Sequence, residues 1–223
     1  MKSYFTSKYL DFFKSLAANN HKEWFDANRV NYLKNVKEPF LLFVEALIAE
    51  TSKIDSEINI LPKDAVFRIN RDVRFSKDKS AYKLQMAAII SKYGKKDNAY
   101  PGLYLEFGPE KLGVYGGLYR PTTQELAKVR EAIVNNFEQF NQLVSSEIFK
   151  KYFEEIRGAK NKRIDKKFAE KALLQDLLLN KQWYYMANLD AEIIVSPQLM
   201  PIIIEHFKAM KALNDFFKRA LYY

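Results

Sequence analysis

The sequence predicts an α+β protein, with an antiparallel sheet of about four or more strands and helices from the N- and C-terminal segments packed around it. Three observations lead to this prediction. Apolar residues recur at helical spacing before residue 60 and again after residue 120. Between residues 65 and 119 the period changes to that of a strand. Short turns join the strand candidates, which indicates antiparallel pairing because parallel pairs need a long crossover.

Length and composition suit one globular domain spanning residues 1–223. The chain is 48% hydrophobic and has only seven glycines and seven prolines, which argues against disorder. It has no cysteine, so disulfides, thiolate nucleophiles and cysteine-ligated metal centres are excluded. This fits a reducing compartment, and no apolar run approaches the roughly 18 residues that span a bilayer. We therefore expect a cytoplasmic protein with no membrane partner.

Three helices are predicted in the N-terminal part of the chain. Apolar residues within 5–16 follow the spacing of one helix face. In the stretch NNHKEWF, Asn20 is placed to cap a second helix, and Glu23 three residues later completes a capping box. Pro39 suits the first turn of a third helix, which ends near Thr51.

Four stretches predict the strands. They are residues 67–75, 84–91, 103–107 and 111–119, separated by segments rich in turn-forming residues. Residues 189–195 are either a short strand or an extended connector.

Helices are predicted again after the strands. The stretch PTTQELAKVREAI has Thr122 or Thr123 as its cap. Further helices are expected at 137–157, 166–179 and 199–222.

The net charge of +9 is concentrated in two segments. Residues 62–96 hold ten basic and three acidic side chains, and residues 150–171 hold nine and four. The remaining segments are balanced or slightly acidic. Such a concentrated positive field can steer an anionic partner toward one surface.

The densest charge lies in RINRDVRFSKDKSAYK, residues 68–83, which we term the basic segment. Arginine forks and mobile lysines together are what an oxyanion site requires. Asp72 and Asp78 neutralise only part of the charge, and either could act as a general base or orient a cation, so they are the candidate catalytic residues. The predicted ligand-binding residues are Arg68, Arg71, Arg74, Lys77, Lys79, Tyr82, Lys83 and Tyr119.

The same pattern has a structural explanation. Alternating Arg and Asp is typical of the solvated face of a half-buried sheet, where such charges pair with modest effect on stability. His21 and His206 are the only histidines, and their surroundings exclude a histidine-rich metal site, so no metal site is predicted. The sequence leaves open which cofactor is used, if any, and whether a divalent metal takes part. The stretch YGGLY, residues 115–119, lacks the ending of a phosphate-binding loop, and its glycines indicate a bulge or a close backbone approach in a strand.

Several stretches together resemble a bacterial and fungal family known as domain of unknown function 2461. They are NNHKEWFDANRVNY at 19–32, FRINRDVRFSKDKSAYK at 67–83, GGLYRP at 116–121 and VREAI at 129–133. One departure is Ala81, where the family usually has proline. The resemblance implies a single α+β domain and marks the basic segment as the site, but it implies no substrate, cofactor or reaction.

Three functions follow from these observations. The first is binding of a small phosphate-bearing anion at the basic segment, with catalysis on it as an extension. The second is a nucleic-acid-binding module that uses both basic segments. The third is a structural or interaction protein in which the charges form an ion-pair network. The sequence leaves the oligomeric state open.

Overall fold

The predicted α+β class is confirmed. The computed structural model describes residues 3–74, 76–97 and 99–223. Within them a four-stranded antiparallel sheet has the order β1-β2-β3-β4. The strands are β1 Met86–Ile90, β2 Leu103–Phe107, β3 Lys111–Leu118 and β4 Trp183–Asp190.

Two strand predictions were wrong. Residues 67–74 form no regular strand, and Phe75 lies outside the described residues. The fourth strand is instead β4, with buried Trp183 and Tyr185 alternating with less buried neighbours. The prediction for residues 189–195, a short strand or an extended connector, was wrong for 191–195, which form a turn of 3-10 helix, whereas residues 189 and 190 end β4.

The helices largely follow the predictions. The cap of α6, predicted as Thr122 or Thr123, is Thr122, and the structure shows that Glu125 completes a capping box with it. The predicted helix at 137–157 is divided into two by Ser146, whose side chain caps the second. The helices are α1 Ser7–Ala18, α2 Lys22–Ala27, α3 Arg29–Tyr32, α4 Glu38–Ser52, α5 Pro62–Ala65, α6 Thr123–Asn135, α7 Phe137–Ser145, α8 Glu147–Phe153, α9 Lys166–Leu174 and α10 Leu199–Tyr222.

A turn of π-helix, Leu33–Lys37, joins α3 to α4. Pro39 was expected in the first turn of a separate helix, and it does lie in the first turn of α4. However, helical backbone already precedes it. Proline has no N–H to donate to the carbonyl four residues earlier, that of Asn35, and its ring crowds that carbonyl. A wider turn at this point relieves the conflict.

The chain divides into two compact units. Unit 1 comprises Met1–Lys96, Tyr104–Val114 and Asn188–Ile204, and unit 2 comprises Asp97–Leu103, Tyr115–Ala187 and Glu205–Tyr223. The expectation of one domain over the whole chain stays a prediction.

Aromatic rings fill the core of unit 1. Phe5 lies 5.8 Å from Phe43 and 5.7 Å from Phe107, measured between ring centroids. Beside them, the Tyr9 hydroxyl donates to the Phe107 carbonyl at 3.0 Å. Complete burial raises the pKa of Tyr9, so this phenol stays protonated as a donor. The N-terminal helices are thereby fixed on one end of the β2 strand.

Unit 2 has its own core around Tyr185. Its hydroxyl donates to Asn214 Oδ1 at 2.7 Å, and the Gly117 amide donates to the same oxygen at 3.0 Å. Gly117 has a positive φ of 88°, and a Cβ there would lie 2.2 Å from the Trp183 carbonyl oxygen. The close backbone approach predicted for the glycines of YGGLY is therefore confirmed.

Candidate anion-binding site

The basic segment forms the end of an irregular hairpin in unit 1. Its two arms make isolated antiparallel bridges between Val66 and Ala88 and between Asn70 and Tyr82. Between these two bridges the first arm advances by four residues, from 66 to 70, whereas the second advances by six, from 82 to 88. The second arm therefore has two extra residues, which bulge at 84–85. A bulge of this kind interrupts the ladder of hydrogen bonds. It explains why the alternating pattern of residues 67–74 does not give a regular strand.

Asn20 holds the hairpin from one side. Its Nδ2 donates to the Tyr82 carbonyl at 2.9 Å, and the Tyr82 amide donates to Asn20 Oδ1 at 2.9 Å. Asn20 was predicted to cap α2, and this was wrong. The N-cap is His21, whose Nδ1 accepts from the Trp24 amide at 3.5 Å. The Asn20 side chain is instead used to satisfy the backbone of a residue 62 positions later.

Tyr82 fastens the hairpin to the helices. Its ring stacks on Phe25 with centroids 4.0 Å apart and an interplanar angle of 12°, and the residue is only 5% exposed. Burial raises the pKa of Tyr82, so the phenol is neutral near pH 7. The structure thus gives Tyr82 a supporting role, while contact with a ligand stays a prediction.

The two predicted catalytic carboxylates are engaged in ion pairs. Arg74 donates to both oxygens of Asp72, from Nε at 2.9 Å and from a terminal nitrogen at 2.7 Å. Asp78 accepts from the amide and hydroxyl of Ser80, at 2.9 and 2.5 Å, and it also pairs with Arg71. All of these contacts join residues within 71–80 to one another.

The same contacts determine the charge of both carboxylates. The Arg74 guanidinium holds the pKa of Asp72 below its ordinary value. The Ser80 donors, with Arg71, hold the pKa of Asp78 well below it. A general base works best with a pKa near the working pH, so these directions favour ionised carboxylates that pair with cations.

Four cations of the basic segment form no ion pair with any described residue. The Lys79 ammonium donates to the Val73 carbonyl at 3.0 Å, and the Lys83 ammonium lies 5.5 Å from the centroid of the Phe67 ring. Burial lowers the pKa of Lys83, and the positive charge of Arg68 lowers it further. The four are Arg68, Lys77, Lys79 and Lys83.

Tyr119 belongs to unit 2, unlike the other predicted ligand contacts. It is 52% exposed, its ring meets Tyr184 edge-on at 5.3 Å, and the Arg120 guanidinium lies 5.4 Å from its centroid. Its placement is therefore described with that unit, and its contact with a ligand stays a prediction.

One further residue of the site was missed at the sequence level. Phe25 stacks on Tyr82, and this pairing had no signal along the chain because 57 positions separate the two residues. The two hydrogen bonds between the Asn20 side chain and the Tyr82 backbone were missed for the same reason, since a local capping box explained Asn20 equally well.

A family model described as "Conserved hypothetical protein (DUF2461)" matches residues 8–216. The chain belongs to this family. The match confirms the resemblance to domain of unknown function 2461, and it contains the whole basic segment together with Asn20 and Phe25. Comparison with curated proteins gives no match. The DUF2461 description assigns neither a ligand nor a reaction.

The described residues of this DUF2461 member contain neither a candidate membrane-spanning helix nor a candidate metal-binding cluster. In residues 3–74, 76–97 and 99–223, no helix is both long enough and apolar enough to cross a membrane. Over the same ranges, no three or more His, Asp or Glu side chains are grouped so that they could hold a metal ion.

Proposed function

We propose that this protein binds a phosphate-bearing anion at the basic segment. The observation that carries the proposal is the set of four cations without a carboxylate partner, all on one hairpin. Like charges this close repel one another, and a bound anion offsets that repulsion. Asp72 and Asp78 offset it only in part, because each forms its ion pair with an arginine outside this set of four.

The hairpin is suited to this role because it is rigidly supported. Asn20 fixes the backbone of Tyr82, and Phe25 fixes its ring. Cations held in place by the fold lose less freedom on binding than cations on a mobile loop, which favours affinity. The Arg68 guanidinium can offer a planar fork to phosphate oxygens, and the lysines add mobile point charges.

Lys83 gives the proposal an electrostatic test of its own. Its pKa is lowered by burial and by Arg68. A phosphate bound beside these two residues would favour the charged amine and raise that pKa. Phosphate compounds that bind should therefore slow the acetylation of Lys83, because only the neutral amine reacts.

Catalysis on the bound anion is the extension of this proposal. The ionised state of Asp72 and Asp78 suits the orientation of a cation beside the phosphate better than it suits proton abstraction. The lack of cysteine fits the reducing cytoplasm, where phosphorylated metabolites are abundant, and we keep that location as part of the proposal.

Nucleic-acid binding is the second candidate. It is favoured by exposure: the Arg74 side chain is 76% exposed, and Arg68, Lys77 and Lys79 are also exposed. Exposed cations suit an extended phosphate backbone, which can contact several of them without a recess.

The test is a thermal-shift assay with phosphate, pyrophosphate, sugar phosphates and nucleotides. Binding at about 100 times Kd stabilises a protein by about 2.7 kcal/mol, which is easily measured. The double variant Arg68→Ala/Lys77→Ala should lose most of the response. Its matched control is Lys162→Ala/Arg163→Ala, which removes two exposed and unpaired cations from the other basic stretch and should respond as the wild type does.

The result that would overturn the proposal is stabilisation by none of these compounds, or an equal loss in both double variants. A labelled single-stranded oligonucleotide separates the second candidate. If it binds with a salt slope of about −0.7 per phosphate contacted, over three or more contacts, while mononucleotides do not bind, nucleic-acid binding replaces the first proposal.

A further inference from the structure

A polar recess lies in unit 1, in the groove between α1 and the helical stretch that runs from α2 to the π turn. Its volume is about 350 Å³. On α1, Lys8, Asp11 and Ser15 line it, at the spacing of one helix face. None of them belongs to the basic segment, so the groove is separate from the anion site in its residues.

Three asparagines line the opposite wall. Asn28, Asn31 and Asn35 recur at helical spacing and share one face. Asparagine is a poor helix former, because its side chain competes for backbone hydrogen bonds. Asn28 has a local role, since its Nδ2 donates to the Trp24 carbonyl at 2.9 Å near the end of α2. Helix stability does not explain the other two.

The π turn contributes to this wall. Asn35 lies within the turn Leu33–Lys37, which Pro39 imposes. Such turns change the direction in which side chains leave a helix, and they occur frequently at functional sites. This is a second observation that distinguishes the groove from an ordinary gap between helices.

Hydrogen-bonding groups on both walls remain available. Asn35 Nδ2 donates to Asn31 Oδ1 at 2.7 Å, which leaves the Asn31 amide as a donor and the Asn35 carbonyl as an acceptor. Across the groove, the side chains of Asp11 and Ser15 make no hydrogen bond to any described residue. The groove therefore presents donors and acceptors together, as vicinal hydroxyl groups require.

An aromatic surface completes the groove. Trp24 is half-buried, lines the groove and contacts Phe12, with 5.7 Å between ring centroids. An indole ring offers a large apolar face with a polar N–H at its edge. Such a face suits the C–H surface of a sugar ring as well as any flat apolar group.

We propose that this groove binds a carbohydrate. The charges of Lys8 and Asp11 offset each other, so the lining has no net charge and does not favour a phosphate-bearing ligand. Side-chain amides, a carboxylate and a hydroxyl would bind the sugar hydroxyls, while Trp24 would lie against the ring. The inference goes beyond the anion site and is independent of it.

Tryptophan fluorescence gives a direct readout. The protein has two tryptophans, and Trp183 is fully buried in unit 2, so a ligand-dependent change reports on Trp24. The probes are hexasaccharides of β-1,4-glucose, α-1,4-glucose and N-acetylglucosamine, at concentrations up to about 10 mM, which detects weak binding. A saturable change with at least one of them is expected.

The variant Asn31→Ala should weaken that binding at least tenfold. Asn31 is exposed, and alanine favours the helix, so the fold should be retained. Asn31→Asp, which removes the donor amide but keeps the shape, should weaken binding as well. The control is Asn135→Ala at the exposed end of α6, which should bind as the wild type does. Absence of any saccharide response, unchanged affinity in the Asn31 variants, or a response to adenosine alone would overturn the inference.

Discussion

The basic segment, residues 68–83, and residues 157–167, which lie within the second basic stretch 150–171, carry similar charge but are organised differently. In residues 68–83, the paired carboxylates Asp72 and Asp78 belong to the segment itself. In residues 157–167, Arg157 pairs locally with Glu154 and Glu155, but two other pairs reach different elements: Lys160 pairs with Asp176, and Lys167 with Glu131 of α6 at 2.6 Å. Both stretches keep cations without an ion-pair partner among the described residues, but only the second forms ion pairs that join different elements of unit 2.

The way each segment is held differs as well. The second makes backbone bridges to its neighbours, from Arg157 to Tyr184 and from Lys160 to Asn180. The first is attached to the N-terminal helices mainly through side chains. These are the Asn20 side chain, which hydrogen-bonds to the Tyr82 backbone, and the Tyr82 ring, which stacks on Phe25. Density of charge alone therefore does not identify a binding site. What distinguishes the two is where the neutralising groups come from.

The largest expected effect tests the aromatic support of the first segment. Tyr82→Ala removes a buried ring stacked on Phe25, so the free energy of unfolding should fall by about 3 kcal/mol, as for other buried aromatic residues. Urea denaturation measures this. Tyr119→Ala, at a half-exposed tyrosine, is the control and should cost less than about 1 kcal/mol. Equal losses would mean that the stack does not support the hairpin.

Removing the Asn20 side chain should lower the free energy of unfolding by an intermediate amount. Asn20→Ala leaves the amide and carbonyl of Tyr82 without their partners, which should cost about 2 kcal/mol. Hydrogen exchange at the Tyr82 amide should accelerate more than exchange in β2. Asn19→Ala is the neighbouring control, because the Asn19 side chain hydrogen-bonds, among the described residues, only to the Ser15 carbonyl on the surface. If both variants lose the same stability, the first segment is not held by side chains and the comparison fails.

The smallest effect concerns Asp78 and pH. Because its folded pKa lies below the ordinary 3.8, the carboxylate contributes stability above that value, and the contribution is lost as the pH falls through the folded pKa. Asp78→Asn should thus be less stable than wild type at about pH 7, and the gap should be narrower at about pH 2, because the contribution declines only between the ordinary pKa and the much lower folded pKa. The difference should be small because Asp78 is exposed.

Urea titrations at both pH values measure this narrowing. Glu170→Gln, at an exposed carboxylate that forms no ion pair with a described residue, should keep the wild-type dependence on pH. A constant gap between Asp78→Asn and wild type would show that the loop does not depend on that charge.

Part of the candidate site could be read from the sequence. The cluster of cations and the partial neutralisation by Asp72 and Asp78 are local features, because the residues lie within a few positions of their partners. The choice of partners could not be read. Asp78 pairs with Arg71 across the loop and not with an adjacent lysine, which depends on how the chain turns between them.

The sequence by itself determined the helical and extended periods, the start of α6 at a capping threonine, the bounds of β2 and the family. Each of these is set by residues close together in the chain. Only the tertiary structure decided that residues 67–74 leave the sheet, that Trp183–Asp190 joins it, and that Asn20 supports Tyr82. These outcomes depend on which buried backbone groups find partners far along the chain, and local patterns carry no information on that pairing.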